Sequence, residues 1–127
     1  MSLIIIDKLK DIWGEEKKNN DYSLLDTVKE SHGIYIFRNI LNNDILYIGE
    51  AHEQYLKDRI SQNFTKNDSG GTFRTNYMEK ESKTFNDFKE LLNNSQILSI
   101  TMDKGILIKA LESLLIAVLN QKYNIEK

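Results

Sequence analysis

Two short runs rich in β-branched and aromatic residues constrain the fold of this chain more than any other feature. They are residues 33–38 (GIYIFR) and 45–49 (ILYIG), and the turn-rich stretch 39–44 separates them. Two such runs joined by a short polar loop predict an antiparallel β-hairpin. We therefore expect a sheet that contains this hairpin.

The alternation of side chains along a strand limits how the two runs can pair. The favoured register puts four apolar residues on one face, namely Ile34, Ile36, Leu46 and Ile48. The same register brings Tyr35 and Tyr47 together on the opposite face, as a direct cross-strand pair. Two interpretations remain open here: an aromatic cluster that covers the sheet together with Phe37, or two phenols held side by side for chemistry.

Helical spacing of apolar residues predicts the elements around the hairpin. The predicted helices are 3–13, 23–29, 53–64, 85–92 and 105–122, and a third strand covers 96–102. The last helix is apolar through Leu119 and too long for a strand, so we expect it to be mostly buried. This order of elements predicts a small sheet with helices packed on it.

Length and composition exclude several classes of protein. The 127 residues suit one globular domain, and without Cys there is no disulfide, thiolate nucleophile or Cys-ligated metal. The first apolar run, residues 3–6, is too short for a signal peptide, and no run approaches the ~20 residues of a membrane span. We expect a cytoplasmic protein. Because the net charge is -2, any nucleic acid would have to bind a local basic patch.

Two charged residues stand at the borders of apolar helical faces. Arg59 lies beside the apolar stripe of helix 53–64, where many arginines cover apolar surface with their aliphatic stems. Glu112 lies at the border of the apolar arc of the last helix. A desolvated carboxylate there must be paired, hydrogen-bonded or bound to a cation. The alternative is a boundary glutamate that pairs with Lys109 or reaches water.

Taken together, these residues resemble the GIY-YIG nuclease superfamily. The motifs are Gly33-Ile34-Tyr35, an eleven-residue spacer, Tyr47-Ile48-Gly49, Arg59 in the next helix, and Glu112 followed twelve residues later by Asn124. The resemblance covers residues 31–124 and implies an α/β (α+β) fold with a small three-stranded antiparallel sheet flanked by helices. We expect a nuclease domain at 31–127 after an N-terminal helical extension at 1–30, in one compact globular unit.

The resemblance implies a divalent-metal-dependent endonuclease that hydrolyses phosphodiester bonds of nucleic acid, with DNA as the expected substrate. Arg59 would give parallel hydrogen bonds to phosphate oxygens. Glu112 would hold Mg²⁺, or Mn²⁺, because a hard cation prefers carboxylate and water oxygens. Tyr35 or Tyr47 is the candidate base, helped by neighbouring positive charge because a free phenol has a pKa of about 10. Asn124 would position the terminal turn or a metal-bound water.

Four further cations are candidates for nucleic-acid binding: Arg38, Lys57, Lys66 and Arg74. Arg74 belongs to the segment 69–75 (SGGTFRT), which resembles a Gly-Thr-Phe/Leu-Arg insertion found in a subset of the family. Backbone amides beside the two glycines, together with Arg74, could hold a second phosphate.

Some features favour other interpretations. Many relatives have lysine directly after the second motif, whereas this chain has Glu50. That difference favours an alternative function, a catalytically inactive nucleic-acid-binding module on the same scaffold. His52 could act as a proton shuttle or be an ordinary loop histidine. Residues 1–30 lie outside the resemblance and could mediate dimerisation or contact a protein partner.

Overall fold

The computed structural model describes residues 1–15 and 19–124 and has four strands in one sheet. In chain order the elements are β1 (Ser2–Ile6), 3₁₀ helices at Leu9–Ile12 and Ser23–Val28, β2 (His32–Asn39), β3 (Ile45–Ala51), α1 (Leu56–Phe64), α2 (Thr72–Glu81), α3 (Phe85–Asn93), β4 (Ser95–Met102) and α4 (Ile106–Val118). The antiparallel strands lie in the order β1-β4-β2-β3. The predicted α+β fold is confirmed, with one strand more than the three expected.

The additional strand comes from the N-terminal segment, where the predicted helix 3–13 is wrong. Residues Ser2–Ile6 form β1, which pairs antiparallel with β4, and only Leu9–Ile12 turn helically, as a short 3₁₀ helix. Four consecutive apolar residues fit either period, so spacing could not distinguish the two structures. The three isoleucines at 4–6 favour a strand, because branched side chains pack well on a pleated surface.

The predicted hairpin is confirmed, but its register differs from the expected one. Tyr35 lies opposite Gly49, and Tyr47 lies opposite Phe37, so the direct tyrosine pair is wrong. The two tyrosines are instead diagonal neighbours on one face, with ring centroids 6.2 Å apart. A β-bulge after Phe37 causes a further difference: the extra residue turns Leu46 away from the isoleucine face and into the opposite core.

The sheet separates two apolar cores. The larger core lies against α1, α2 and α3 and contains the aromatic residues Tyr35, Phe37, Tyr47, Phe64, Phe73 and Phe88. The smaller core lies on the other face, where α4 packs against β3 and β2 and contributes Ile108. Burying each large side chain of this kind stabilises the fold by about 1.5–3 kcal/mol.

Two helices differ from the prediction. Helix α2 was not predicted, because its buried face mixes the aromatic Phe73 and Tyr77 with the polar Arg74 and Asn76, which hides the apolar period. Helix α4 ends at Val118, and only Ile108 in it is fully buried, so the expectation of a mostly buried helix is wrong. Within the described ranges, no helix has the length and apolarity needed to cross a bilayer.

Candidate active site

Both glycines of the hairpin motifs are required by close packing. A Cβ atom at Gly49 would lie 2.3 Å from Cζ of Tyr35, because the Tyr35 ring crosses directly over this position. Gly33 has φ of 149°, and a Cβ atom there would lie 1.9 Å from the carbonyl oxygen of Ile100. The two glycines therefore let β2 sit close to β4 and let the Tyr35 ring lie flat on β3.

The two tyrosines are deeply buried, and this burial controls their protonation. Desolvation, with Tyr47 as the next cause, raises the pKa of Tyr35, of which only 1% is exposed. Desolvation also raises the pKa of Tyr47, while Arg59 and the hydroxyl of Thr72 act in the opposite direction. Both phenols are therefore protonated at neutral pH in this structure, and the opposing contacts favour ionisation more at Tyr47.

Helix α1 holds Arg59 at the edge of the sheet. Its stripe of Leu56, Ile60 and Phe64 is fully buried, and the Leu56 amide donates to the Ser31 carbonyl at 2.7 Å. Arg59 lies beside this stripe and is half-buried.

The guanidinium of Arg59 keeps its positive charge accessible. Its Nη1 donates to Oε1 of Gln62 at 2.6 Å and to the carbonyl oxygen of Gly70, and both acceptors are neutral. The side chain lines a concave pocket of about 270 Å³ together with Glu50, Ala51, His52, Glu53 and Gln54. A charged guanidinium group that is held in place suits the binding of a phosphate group.

Glu112 lies on α4 and is half-buried. Desolvation, followed by the charge of Glu50, raises the pKa of Glu112, whereas Lys109, Arg59 and His52 lower it. Glu112 also acts on the pKa values of both tyrosines, so these side chains share one electrostatic environment. Across residues 1–15 and 19–124, its carboxylate takes part in no hydrogen bond or salt bridge. A partly desolvated carboxylate of this kind fits a cation.

Glu50 is a site residue that sequence reasoning treated only as a departure from the family. Its Oε2 lies 2.7 Å from Nδ1 of His52, and His52 Nε2 lies 3.5 Å from Glu53. Glu50 and Glu112 together increase the local negative charge. Their carboxylate oxygens therefore suit a divalent cation better than another anion. No group of three or more metal-ligating side chains occurs in the described part of the chain. Mg²⁺ needs few protein ligands because it retains water.

Asn124 contacts the strand that carries Tyr47. Its Oδ1 accepts from the Ile48 amide at 2.9 Å, and its Nδ2 donates to the Ile48 carbonyl at 2.8 Å. The side chain thus replaces a neighbouring strand at the free edge of β3. In this arrangement Asn124 positions the strand, and its amide group is occupied by the backbone.

Replacing Asn124 with alanine is expected to lower the free energy of unfolding by about 2 kcal/mol. The variant loses two hydrogen bonds to the backbone of a buried residue, at roughly 1 kcal/mol each. Urea denaturation followed by circular dichroism measures the change. Asn86→Ala, at an exposed position of α3, is the matched control and should leave stability unchanged. Equal stability of both variants would contradict the assigned role.

The structure does not bring the predicted nucleic-acid-binding cations into one patch. Arg38 donates to Gln96 and Asn43 at the turn end of the hairpin, whereas the pocket lies beyond the other end of β3. Lys57 forms a salt bridge with Asp26 at 2.6 Å, which offsets its charge. Lys66 is exposed, and its Nζ lies 6.0 Å from the ring centroid of Phe85.

The fourth cation, Arg74, is buried, in contrast to the expected phosphate contact. It is 5% exposed and donates to the carbonyl oxygens of Gln62, Thr65 and Asp68. A Cβ atom at Gly71 would lie 2.4 Å from Arg74 Nη1, which explains the second glycine of the segment. Arg74 therefore fixes the loop whose Gly70 carbonyl holds Arg59. The paired glycines were the sequence signal for this packing.

Comparisons with known proteins give one match. The family model of the GIY-YIG catalytic domain matches residues 31–124, which is 94 of the 127 residues. No curated protein and no solved structure matches the chain. The matched range includes both tyrosines, Arg59, Glu112 and Asn124. Since the match covers well over half of the chain, this protein belongs to the GIY-YIG nuclease superfamily.

Proposed function

We propose that this protein is a divalent-metal-dependent endonuclease that hydrolyses phosphodiester bonds of DNA at the site of Arg59 and Glu112. At the level of the family, the GIY-YIG domain is a nuclease domain that acts on nucleic acid. The observation that carries the finer proposal is the state of Glu112. It is a half-buried carboxylate without a hydrogen-bond or salt-bridge partner in the described ranges, in the same electrostatic environment as Arg59 and both tyrosines.

Arg59 binds and orients the scissile phosphate. Negative charge accumulates on the phosphate oxygens during hydrolysis, and a guanidinium that is already held in place stabilises that charge without reorganising. Gln62 and the Gly70 carbonyl provide this fixation. Because Arg59 is half-buried, its interaction with a phosphate is stronger than it would be in open water.

Glu112, on which Glu50 acts electrostatically, is the candidate holder of Mg²⁺ or Mn²⁺. When bound, the cation supplies charge neutralisation at the phosphate and activation of water. Without a cation, the charge of Glu50 disfavours ionisation of Glu112, which accounts for part of the raised pKa. A bound cation would offset this repulsion, and this gives the two carboxylates a physical reason to lie near each other.

Tyr47 is the tyrosine that we assign to the attacking water. It is less buried than Tyr35, and the Thr72 hydroxyl favours its ionised form in addition to Arg59, which favours the ionised form of both tyrosines. Tyr35 keeps its proton and supports the packing around Gly49. The imidazole of His52, whose side chain is 31% exposed and held by Glu50, can pass a proton to solvent.

The direct test is cleavage of labelled single-stranded, double-stranded and branched DNA, with an RNA control, in Mg²⁺ or Mn²⁺ and with EDTA. We expect metal-dependent cleavage of at least one DNA substrate and none in EDTA. Intact substrates together with salt-dependent DNA binding would instead establish the alternative, an inactive binding module. Cleavage of RNA alone would overturn the assignment of DNA.

A further inference from the structure

One face of the sheet is covered by a helix over only half of its width. Helix α4 packs on β3 and β2, whereas β4 and β1 present apolar side chains on the same face. Exposure increases outward along a cross-strand row. Ile34 is fully buried, its neighbour Ile100 is half-buried, and Leu3 at the edge is 63% exposed. The next row ends in Ile5, which is 56% exposed.

The outward side of α4 is also apolar and uncovered. Four large side chains on it are 57–84% exposed, namely Ile106, Leu107, Leu114 and Val118. Leu107, Ala110, Leu114 and Ala117 follow one another at intervals of three, four and three residues. This spacing is typical of a helix face that packs against another element. No charged residue belongs to this face, because Lys109 and Glu112 lie on other sides of the helix.

We propose that the protein forms a twofold-symmetric dimer in which the outward face of α4 packs on the uncovered half-sheet, β4 and β1, of a second copy. The uncovered half-sheet needs an apolar helix, and each copy carries one whose outward face is unpartnered. A twofold axis between two facing sheets satisfies both requirements at once, with the two α4 helices side by side between the sheets. The proposal is independent of the nuclease assignment.

The size of the uncovered surface supports a second copy as the occupant. The six exposed large side chains, divided between the half-sheet at β1 and the outward face of α4, together present roughly 700 Å² of surface that the proposed dimer would cover. A stable interface buries about 800 Å² on each partner. With the exposed alanines of α4 added, the two surfaces together approach the area that a stable dimer buries.

Dimerisation would also explain the sequence of α4. A helix that is apolar around most of its circumference is normally buried on all sides. In one copy Ile108 is fully buried and Leu111, Leu115 and Ile116 are half-buried against the sheet, so only the apolar residues of the outward face depend on a second copy for cover. The interface would thereby fix the helix that carries Glu112.

The mass of the protein in solution tests the dimer. Sedimentation equilibrium at micromolar concentration should give twice the 14.8 kDa of one chain. The double variant Leu107→Lys, Leu114→Lys should be monomeric and remain folded by circular dichroism. Leu41→Lys is the matched control, because Leu41 is 76% exposed in the hairpin turn, and this variant should stay dimeric. A wild-type mass of one chain would overturn the proposal.

Disulfide cross-linking tests the arrangement. Because the chain contains no cysteine, only the introduced thiols can form a disulfide. The single variants Ile5→Cys and Leu114→Cys are prepared separately, mixed to exchange subunits and then oxidised. We expect a disulfide-linked dimer that contains one chain of each variant, which mass spectrometry identifies. A dimer that does not give this mixed product would overturn the proposed arrangement. A disulfide that links only Ile5→Cys to itself would also overturn it and would indicate pairing between the β1 edges of two copies.

Discussion

Replacing Arg59 with alanine is expected to lower kcat for DNA cleavage by about 10²- to 10³-fold. The loss should fall on kcat more than on substrate affinity, because the guanidinium stabilises charge that develops during the reaction. Arg59→Lys should recover only part of the rate, since an ammonium group keeps the charge but lacks the two parallel donors. Single-turnover cleavage with protein in excess measures the chemical step.

Controls separate this effect from damage to the fold. Arg59 forms hydrogen bonds with Gln62 and the Gly70 carbonyl, so its replacement also removes structural contacts. The thermal unfolding of each variant should therefore be measured alongside its cleavage kinetics. Lys10→Ala removes an exposed cation that does not line the pocket and should cleave at the wild-type rate. If Arg59→Ala remains folded and cleaves at the wild-type rate, the role assigned to Arg59 is wrong.

The central part of the fold was predictable because local pattern and tertiary structure agree there. The alternating strands around Tyr35 and Tyr47 form the hairpin, and the stripe of Leu56, Ile60 and Phe64 forms the buried side of α1. In α1 a single helical period accounts for the burial, whereas the hairpin strands are buried on both faces and were predicted from their β-branched and aromatic residues. The GIY-YIG motifs lie on these elements, so recognition of the motifs and of the elements depended on the same residues.

The errors arose where burial depends on partners distant in the sequence. Strand β1 exists because β4 offers it an edge, and Leu46 changes face because a bulge adds one residue to β3. Neither partner is visible in the local pattern. The predicted and observed registers of the hairpin also differ in the residue that lies opposite Tyr35. The observed partner is Gly49, because the Tyr35 ring occupies the space that a side chain would need there.

Charged residues were harder to interpret than apolar ones, because their roles depend on their neighbours. Arg74 looks like a phosphate ligand in sequence, yet its guanidinium is enclosed by three backbone carbonyls. Glu50 looks like an unfavourable replacement for lysine, yet it holds His52 and acts on the pKa of Glu112. Spacing alone cannot distinguish a cation that anchors a loop from one that binds substrate.

Replacing Glu112 with glutamine is expected to reduce metal-dependent cleavage by at least about 10³-fold, because the metal contributes several kcal/mol to the reaction. The same variant is expected to be more stable than the wild type at pH 7. Burial and Glu50 raise the pKa of Glu112, so its charged form destabilises the folded state. Glutamine has nearly the same shape and carries no charge.

The pH dependence of this difference has a definite sign. The folded protein binds the Glu112 proton more tightly than the unfolded chain does, so wild-type stability falls as the pH rises through the raised pKa. The advantage of Glu112→Gln should therefore be complete above that pKa. It should disappear below about pH 4, where the glutamate is protonated in both states. Thermal unfolding across this pH range measures the difference.

Mg²⁺ should reverse the order of stability. A cation that binds only the folded wild type stabilises it by mass action, so Mg²⁺ should raise the Tm of the wild type and leave that of Glu112→Gln unchanged. Glu90→Gln, at an exposed position of α3, is the matched control and should follow the wild type in cleavage and in its response to Mg²⁺. An equal Mg²⁺ response in Glu112→Gln would contradict the metal site. Loss of cleavage combined with a gain in stability would show that this carboxylate is kept for its chemistry, at a cost to the fold.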